Sequence, residues 1–252
     1  MSNTRLYLIS PPAIDLPVFA RQLKEAFSGG DVGSFQLRLK GASDAEILKA
    51  TEVLIPICHE HEAAFILNDR ADLAVKCNAD GVHLGQDDLV ALSSPSPSGR
   101  GRGEGGATMD SSQSGIDPHP NPLPEGEGIR RAREILGTDK IVGVSCHDSR
   151  HLAMVAGEQG ADYVAFGAFY PTSSKSAEAL AKYGVPTPDI LSWWQEYMVL
   201  PCVAIGGINP SNCNVLVKAG ADFIAVITAV WSHPKGPRQA VAEFNKAIKE
   251  SI

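Results

Sequence analysis

The stretch Cys202-Val203-Ala204-Ile205-Gly206-Gly207-Ile208-Asn209-Pro210 joins a short apolar run to a glycine pair and then to an Asn-Pro step. The run has the length and branched-chain content of one buried strand. Asn209 offers a side-chain oxygen to the orphan amides of a following helix, and proline suits a first helical position. The stretch therefore reads as strand, glycine turn and helix, with an N-cap at Asn209.

The same unit recurs along the chain. Strand-like runs are predicted at residues 5–10, 34–40, 64–68, 81–85, 141–146, 163–167, 202–206 and 223–228. Helical patterns fill the intervals, such as residues 45–59, where Ile47, Leu48, Ala50, Val53, Leu54 and Ile57 recur at three- and four-residue spacings. Others cover residues 150–159, with Asp148 as predicted N-cap, 209–218 and 238–249. Gly137, Gly160 and Gly220 stand where helices should stop. Strands that alternate with helices build a parallel sheet, and eight of each is the count of a closed barrel. The predicted class is thus α/β, a (β/α)8 TIM barrel forming one domain over residues 1–252. A doubly wound open sheet would show a glycine fingerprint after its first strand, and none is present.

Residues 93–128 break the pattern. Of these 36 residues, 21 are Gly, Pro or Ser, and the only aliphatic side chains larger than alanine are Ile116 and Leu123. Such a segment cannot bury enough surface to offset its ordering entropy, so it is expected to be a disordered insertion after strand four. Its two ends look like translations of a GC-rich inverted repeat. A linker between two domains is the competing reading, but neither flank holds a complete strand–helix set.

Composition narrows the function. A net charge of −7 argues against a nucleic-acid partner, which needs a basic face. Five scattered cysteines suit reduced thiols in the cytoplasm. No stretch approaches the ~18 uninterrupted apolar residues of a membrane span, and the N-terminus runs almost directly into a strand, without a signal peptide. Oligomeric state is left open, a homo-oligomer included.

Polar clusters sit at the carboxyl ends of the predicted strands, where parallel barrels bind ligands. In Gln36-Leu37-Arg38-Leu39-Lys40 the side chains alternate faces, so Gln36, Arg38 and Lys40 share the inner side and the leucines pack under helices. Two cations buried together call for an anion such as a diphosphate, or for inward carboxylates. Asn68-Asp69 ends strand three, and Asp87-Asp88 follow strand four. Asp69 with either of that pair could hold Mg²⁺ together with substrate phosphate oxygens. A plain Asp69–Arg70 charge pair at a helix start is the alternative. Pro171-Thr172-Ser173-Ser174-Lys175 places three hydroxyls and an ammonium in one loop. Gly206-Gly207, with Ile227 and Thr228 ending strand eight, forms a second anion site. Trp193 and Trp194 read as packing residues, His59 and His61 as surface residues, and His147 stays ambiguous.

Taken together the motifs QLRxK, ND, HLGQxD, GVSxH, PTxxK and AIGGI resemble the thiamine-phosphate synthase family, over nearly the whole chain apart from residues 93–128. The resemblance implies a (β/α)8 barrel. It implies two substrates, 4-amino-2-methyl-5-(diphosphooxymethyl)pyrimidine and 4-methyl-5-(2-phosphoethyl)thiazole, joined to thiamine phosphate with release of diphosphate. By matching position, Gln36, Arg38, Lys40, Asn68 and Lys175 would hold the pyrimidine diphosphate, with Ser145 beside it. Asp69 and Asp88 would bind Mg²⁺, and Thr172, Gly207, Ile227 and Thr228 would contact the thiazole phosphate. Arg38, Lys40, Lys175 and Ser145 would act in catalysis. The family usually carries serine at the position of Thr228 and often a second threonine at that of Ser174; both departures keep a hydroxyl. A metal-free thiazole tautomerase using His147, and a non-catalytic ligand-binding relative, are the rival readings.

Overall fold

The structure, a computed structural model, describes residues 4–85, 127–172 and 184–251. Eight strands form its centre: β1 (Arg5–Ile9), β2 (Val32–Leu37), β3 (Ala64–Asn68), β4 (Gly81–Leu84), β5 (Ile141–His147), β6 (Tyr163–Gly167), β7 (Cys202–Ile205) and β8 (Phe223–Val226). They close into a barrel in sequence order, every neighbouring pair parallel and β8 returning to β1. The helices among the described residues are α1 (Leu16–Phe27), α2 (Asp44–Glu60), α3 (Ala71–Lys76), α4 (Glu127–Leu136), α5 (Arg150–Glu158), α6 (Asp189–Tyr197), α7 (Cys213–Lys218), α8 (Thr228–Trp231) and α9 (Pro237–Lys249). The (β/α)8 barrel expected from the alternation is what forms.

Two cores follow from the strand period of two. Tyr7, Ile9, Ile66, Tyr163, Ala165, Val203 and Ala225 fill the barrel interior. The alternate strand residues, such as Leu6, Leu8, Phe35, Leu37, Phe65 and Phe166, point outward and meet the helices. Trp194 is buried in this outer layer, while Trp193 lies at its margin under the Arg150 guanidinium, 4.7 Å from the ring centroid. His59 and His61 are exposed. Gly137, Gly160 and Gly220 all take positive φ just past helix ends, as expected.

Several boundaries differ from expectation for local reasons. β2 ends at Leu37, three residues early. The Arg38 N–H donates to Ser10 Oγ at 2.8 Å and the Lys40 N–H to the Pro12 carbonyl at 2.9 Å, so both leave the ladder. Thr228 opens the short helix α8 instead of ending β8. The cap of α5 is Ser149, whose Oγ accepts the Leu152 N–H, and not Asp148. Likewise α7 starts at Cys213, because Asn209 Oδ1 accepts the Ser211 N–H and closes a turn of its own. Glu127 and Gly128 begin α4, whose Ile129, Ala132 and Leu136 are buried, so these two residues belong to the barrel. The rest of the predicted insertion, residues 93–126, lies outside the described residues. Among the described residues no helix is long and apolar enough to cross a membrane.

Candidate active site

Because all eight strands run the same way, their carboxyl ends share one rim. Arg38, Asn68, Asp69, Ser145, Gly207, Ile227 and Thr228 all lie on it, following or ending β2, β3, β5, β7 and β8. Asp87, Asp88, Ser173, Ser174 and Lys175 lie outside the described residues.

On the β2–β5 side, Asp69 stands at φ 64°, a conformation that aspartate tolerates better than most residues. Its N–H donates to the His83 carbonyl at 2.8 Å, turning the chain out of β3 over the end of β4. Its carboxylate accepts the Gly85 N–H at 3.2 Å and the amide of Asn68. Arg70 does not pair with it at a helix start. The guanidinium instead holds Asp44 at 2.5 Å and Asp72 at 2.7 Å. Two amide donors, from Gly85 and Asn68, thus brace Asp69 at the rim.

The side chains of β2 divide. Gln36 is buried to 2% exposure, and its Nε2 finds no partner among the described residues. A buried amide donor without an acceptor is costly, and a ligand acceptor would satisfy it. Arg38 is half-buried and acts electrostatically on His83. Lys40 is exposed, against the expectation of a buried cation pair, since the chain leaves the barrel after Leu37. It borders a groove with Pro12, Leu39 and Lys49.

In the barrel interior Tyr7, His83 and Tyr163, which the sequence reading did not assign to the site, line up behind Ser145, which it did. Ser145 Oγ lies 2.9 Å from His83 Nε2, His83 Nδ1 lies 2.9 Å from the Tyr163 hydroxyl, and that hydroxyl lies 2.8 Å from the Tyr7 hydroxyl. One signal was available: period-two alternation puts His83 on the inner face, two residues from Gly81. Burial, reinforced by the Arg38 charge, pulls His83 down to about 4 from its usual 6.5. The folded state then binds fewer protons than the unfolded chain between those values. Stability is therefore full above pH 6.5 and is lost as pH falls toward 4. We expect acidification across that window to remove about 3 kcal/mol. Urea midpoints check this, and a His83→Gln variant should lack that component.

On the β7–β8 side a cavity of about 320 Å³ is lined by Pro171, Thr172, Gly207, Asn209, Ile227 and Thr228, among others. All four residues assigned to the thiazole phosphate thus border one space. Gly207 has φ 63°, and a Cβ there would lie 2.4 Å from the Pro171 carbonyl oxygen. Only glycine lets these two loops approach so closely. His147, at φ 53°, sits at a bulge in β5. The cysteines are free thiols, and burial pushes Cys146 and Cys202 up to about 12, which makes them inert.

A hard divalent cation fits the chemistry of this rim. Among the described residues no three His, Cys, Asp or Glu side chains gather as a metal cage. Mg²⁺ needs none, since one or two carboxylates with substrate phosphates and waters complete its octahedron. Asp69 places one carboxylate on this rim.

Comparison with known proteins bears on what this rim does. The family profile described as thiamine monophosphate synthase matches residues 6–99 and 125–230. The thiamine-phosphate synthase of Rhodospirillum centenum is 49% identical over 249 residues, spanning 99% of this chain and all of that protein. That of Hyphomonas neptunium is 42% identical, spanning 99% of this chain and 96% of the relative. A solved thiamine phosphate pyrophosphorylase from Pyrococcus furiosus superposes with a TM-score of 0.72 at 28% identity, covering 100% of this chain and 98% of the other.

Proposed function

Since this chain belongs to the thiamine monophosphate synthase family, we propose that it is a thiamine-phosphate synthase, a transferase that joins the pyrimidine diphosphate to the thiazole phosphate and releases diphosphate. The observation that carries this reading is the pairing of two half-sites on one rim. A carboxylate, an arginine and an unsatisfied buried amide occupy one side, and a cavity of about 320 Å³ bordered by Gly207 and Thr228 occupies the other.

In this reading Gln36, Arg38, Lys40, Asn68 and Lys175 hold the pyrimidine diphosphate, with Ser145 beside the ring. Asp69 and Asp88 would hold Mg²⁺, which when bound supplies positive charge to the diphosphate oxygens. The carbon–oxygen bond breaks with its electron pair leaving on diphosphate. Arg38, Lys40 and Lys175 meet that growing charge with fixed cations. The exposed position of Lys40 suits a residue that closes on the outer phosphate. The resulting pyrimidine methyl cation is captured by the lone pair of the thiazole nitrogen, and the new bond is carbon–nitrogen. Thr172, Gly207, Ile227 and Thr228 anchor the thiazole phosphate and so aim its ring. No step requires a protein nucleophile. The same reading makes the chain a single cytoplasmic domain acting on small molecules, without nucleic-acid or membrane partners, and treats residues 93–126 as dispensable.

The test is formation of thiamine phosphate and diphosphate from the two substrates, with and without Mg²⁺, together with rescue of a thiamine-requiring bacterium. Both should succeed, and rescue should survive deletion of residues 93–126. Turnover that needs no Mg²⁺ and releases no diphosphate would turn the assignment toward the tautomerase.

A further inference from the structure

Asp69 stands at the tip of an unusual turn. Its φ is 64°, and the Arg70 N–H donates back across it to the Asn68 carbonyl at 2.8 Å. This is a γ-turn with a positive central φ, the rare and strained form of the two. Such strain, on the order of 1–3 kcal/mol, persists only where the surroundings over-determine it. On one flank, the Asp69 N–H and carboxylate are tied to the His83 carbonyl and the Gly85 N–H. On the other flank, the Arg70 guanidinium grips two carboxylates at once. Its Nε and Nη2 donate to Asp72 at 2.9 and 2.7 Å, and its Nη1 and Nη2 to Asp44 at 2.5 and 3.0 Å. Exposed ion pairs contribute little when single; a doubly bidentate fork within a network is the exception.

We propose that Arg70 is a positioning residue: by clamping Asp44 and Asp72 it holds the strained turn that presents the Asp69 carboxylate to the divalent cation. This rests on the metal assignment of Asp69 proposed above and adds what keeps that ligand in place. Two observations favour a role in position over one in helix stability. Arg70 directly precedes α3, yet its side chain makes no capping bond there. Asp44 opens α2, four residues past Lys40, so the fork joins the loop carrying Arg38 and Lys40 to the turn carrying Asp69. The cations and the carboxylate assigned to one diphosphate and its metal are thereby strapped to each other.

The experiment titrates Mn²⁺, an oxygen-liganded divalent cation like Mg²⁺, into the full chain with inorganic diphosphate present. Binding is read by electron paramagnetic resonance for the unaltered chain, Arg70→Gln and Arg70→Lys, each with its unfolding midpoint. Removing a positive charge beside a cation site should by itself tighten the cation. Removing a partner that orients a metal ligand weakens it, commonly by about 10–100-fold. Arg70→Gln should therefore bind Mn²⁺ at least about tenfold more weakly, opposite in sign to its charge change. Arg70→Lys keeps the charge but cannot fork two carboxylates, so it should weaken binding too, by a smaller factor. In turnover, Arg70→Gln should raise the Mg²⁺ needed for half-maximal rate, with the rate recovered at high Mg²⁺ and the KM for thiazole phosphate unchanged. A general loosening of the fold would not be repaired by Mg²⁺. Unchanged or tighter Mn²⁺ binding in Arg70→Gln overturns the proposal, as does unchanged binding in Arg70→Lys, which decides alone if Arg70→Gln fails to fold. An unaltered chain that binds no Mn²⁺ overturns the inference together with the metal assignment, while the coupling reaction is judged separately by product formation.

Discussion

Replacing Asp69 by Asn lowers the turnover of thiamine phosphate formation about 10²–10³-fold, the scale of losing one electrostatic support to a developing charge, and leaves thiazole phosphate binding unchanged. Asparagine is the informative substitute because position 69 has φ 64°. Asn adopts that conformation as readily as Asp, whereas alanine would add backbone strain of about 1 kcal/mol. The Gly85 N–H keeps an acceptor, now the amide oxygen, so the turn over β4 survives. What disappears is one negative charge at the rim, and with it the attraction for a divalent cation. Thiazole phosphate is assigned to the other half of the rim, in the cavity bordered by Gly207 and Thr228, where Asp69 takes no part. Steady-state kinetics at saturating thiazole phosphate, with calorimetric titration of that substrate alone, separates the two effects. A variant whose turnover stays within about threefold of the unaltered chain, a change of under 1 kcal/mol, would remove Asp69 from the metal site.

The barrel was legible because its signals are local. Each strand carries its own branched-chain run, and each helix stop its own glycine, so Gly137, Gly160 and Gly220 could be placed without knowing any neighbour. The rim was legible for a related reason: a parallel barrel sends every strand's carboxyl end to one face, whatever the packing inside. The errors arose where a distant group decided a local outcome. Leu37 ends β2 because Ser10 and Pro12, more than 20 residues away, take the next amide donors. The predicted caps Asp148 and Asn209 gave way to Ser149 and to a start of α7 at Cys213, because a strand bulge and a side-chain turn each shifted the helix start. The chain of Tyr7, Tyr163, His83 and Ser145 was hidden most completely. Its members come from β1, β6, β4 and β5 and touch only across the closed interior, so no spacing along the sequence relates them. A tyrosine inside a strand run reads as hydrophobic filling; its hydroxyl acquires meaning only from the group opposite.

Gly143→Ala tests that interior most severely. A methyl group at position 143 would stand 1.9 Å from Tyr163 Cζ and 2.3 Å from its hydroxyl oxygen. The clash is with a ring buried on every side, so no flexible side-chain end can yield. Interiors are packed to crystal-like density, and inserting one methyl commonly costs about 1–3 kcal/mol where relaxation is possible. Here the ring must move, which also separates its hydroxyl from Tyr7 and His83 and leaves buried polar groups unpaired, at about 1–3 kcal/mol more. A combined loss of about 4 kcal/mol corresponds to a fall of roughly 8–16 °C in the unfolding midpoint for a domain of this size. Calorimetry or circular dichroism reads it directly. The cause is separable from a general intolerance of β5 by shrinking the opposing group. Gly143→Ala combined with Tyr163→Val should recover part of the lost midpoint, because the ring that collides is gone. If instead the two changes destabilise additively, the ring does not occupy the space that Gly143 leaves, and the contact between β5 and β6 is of another kind.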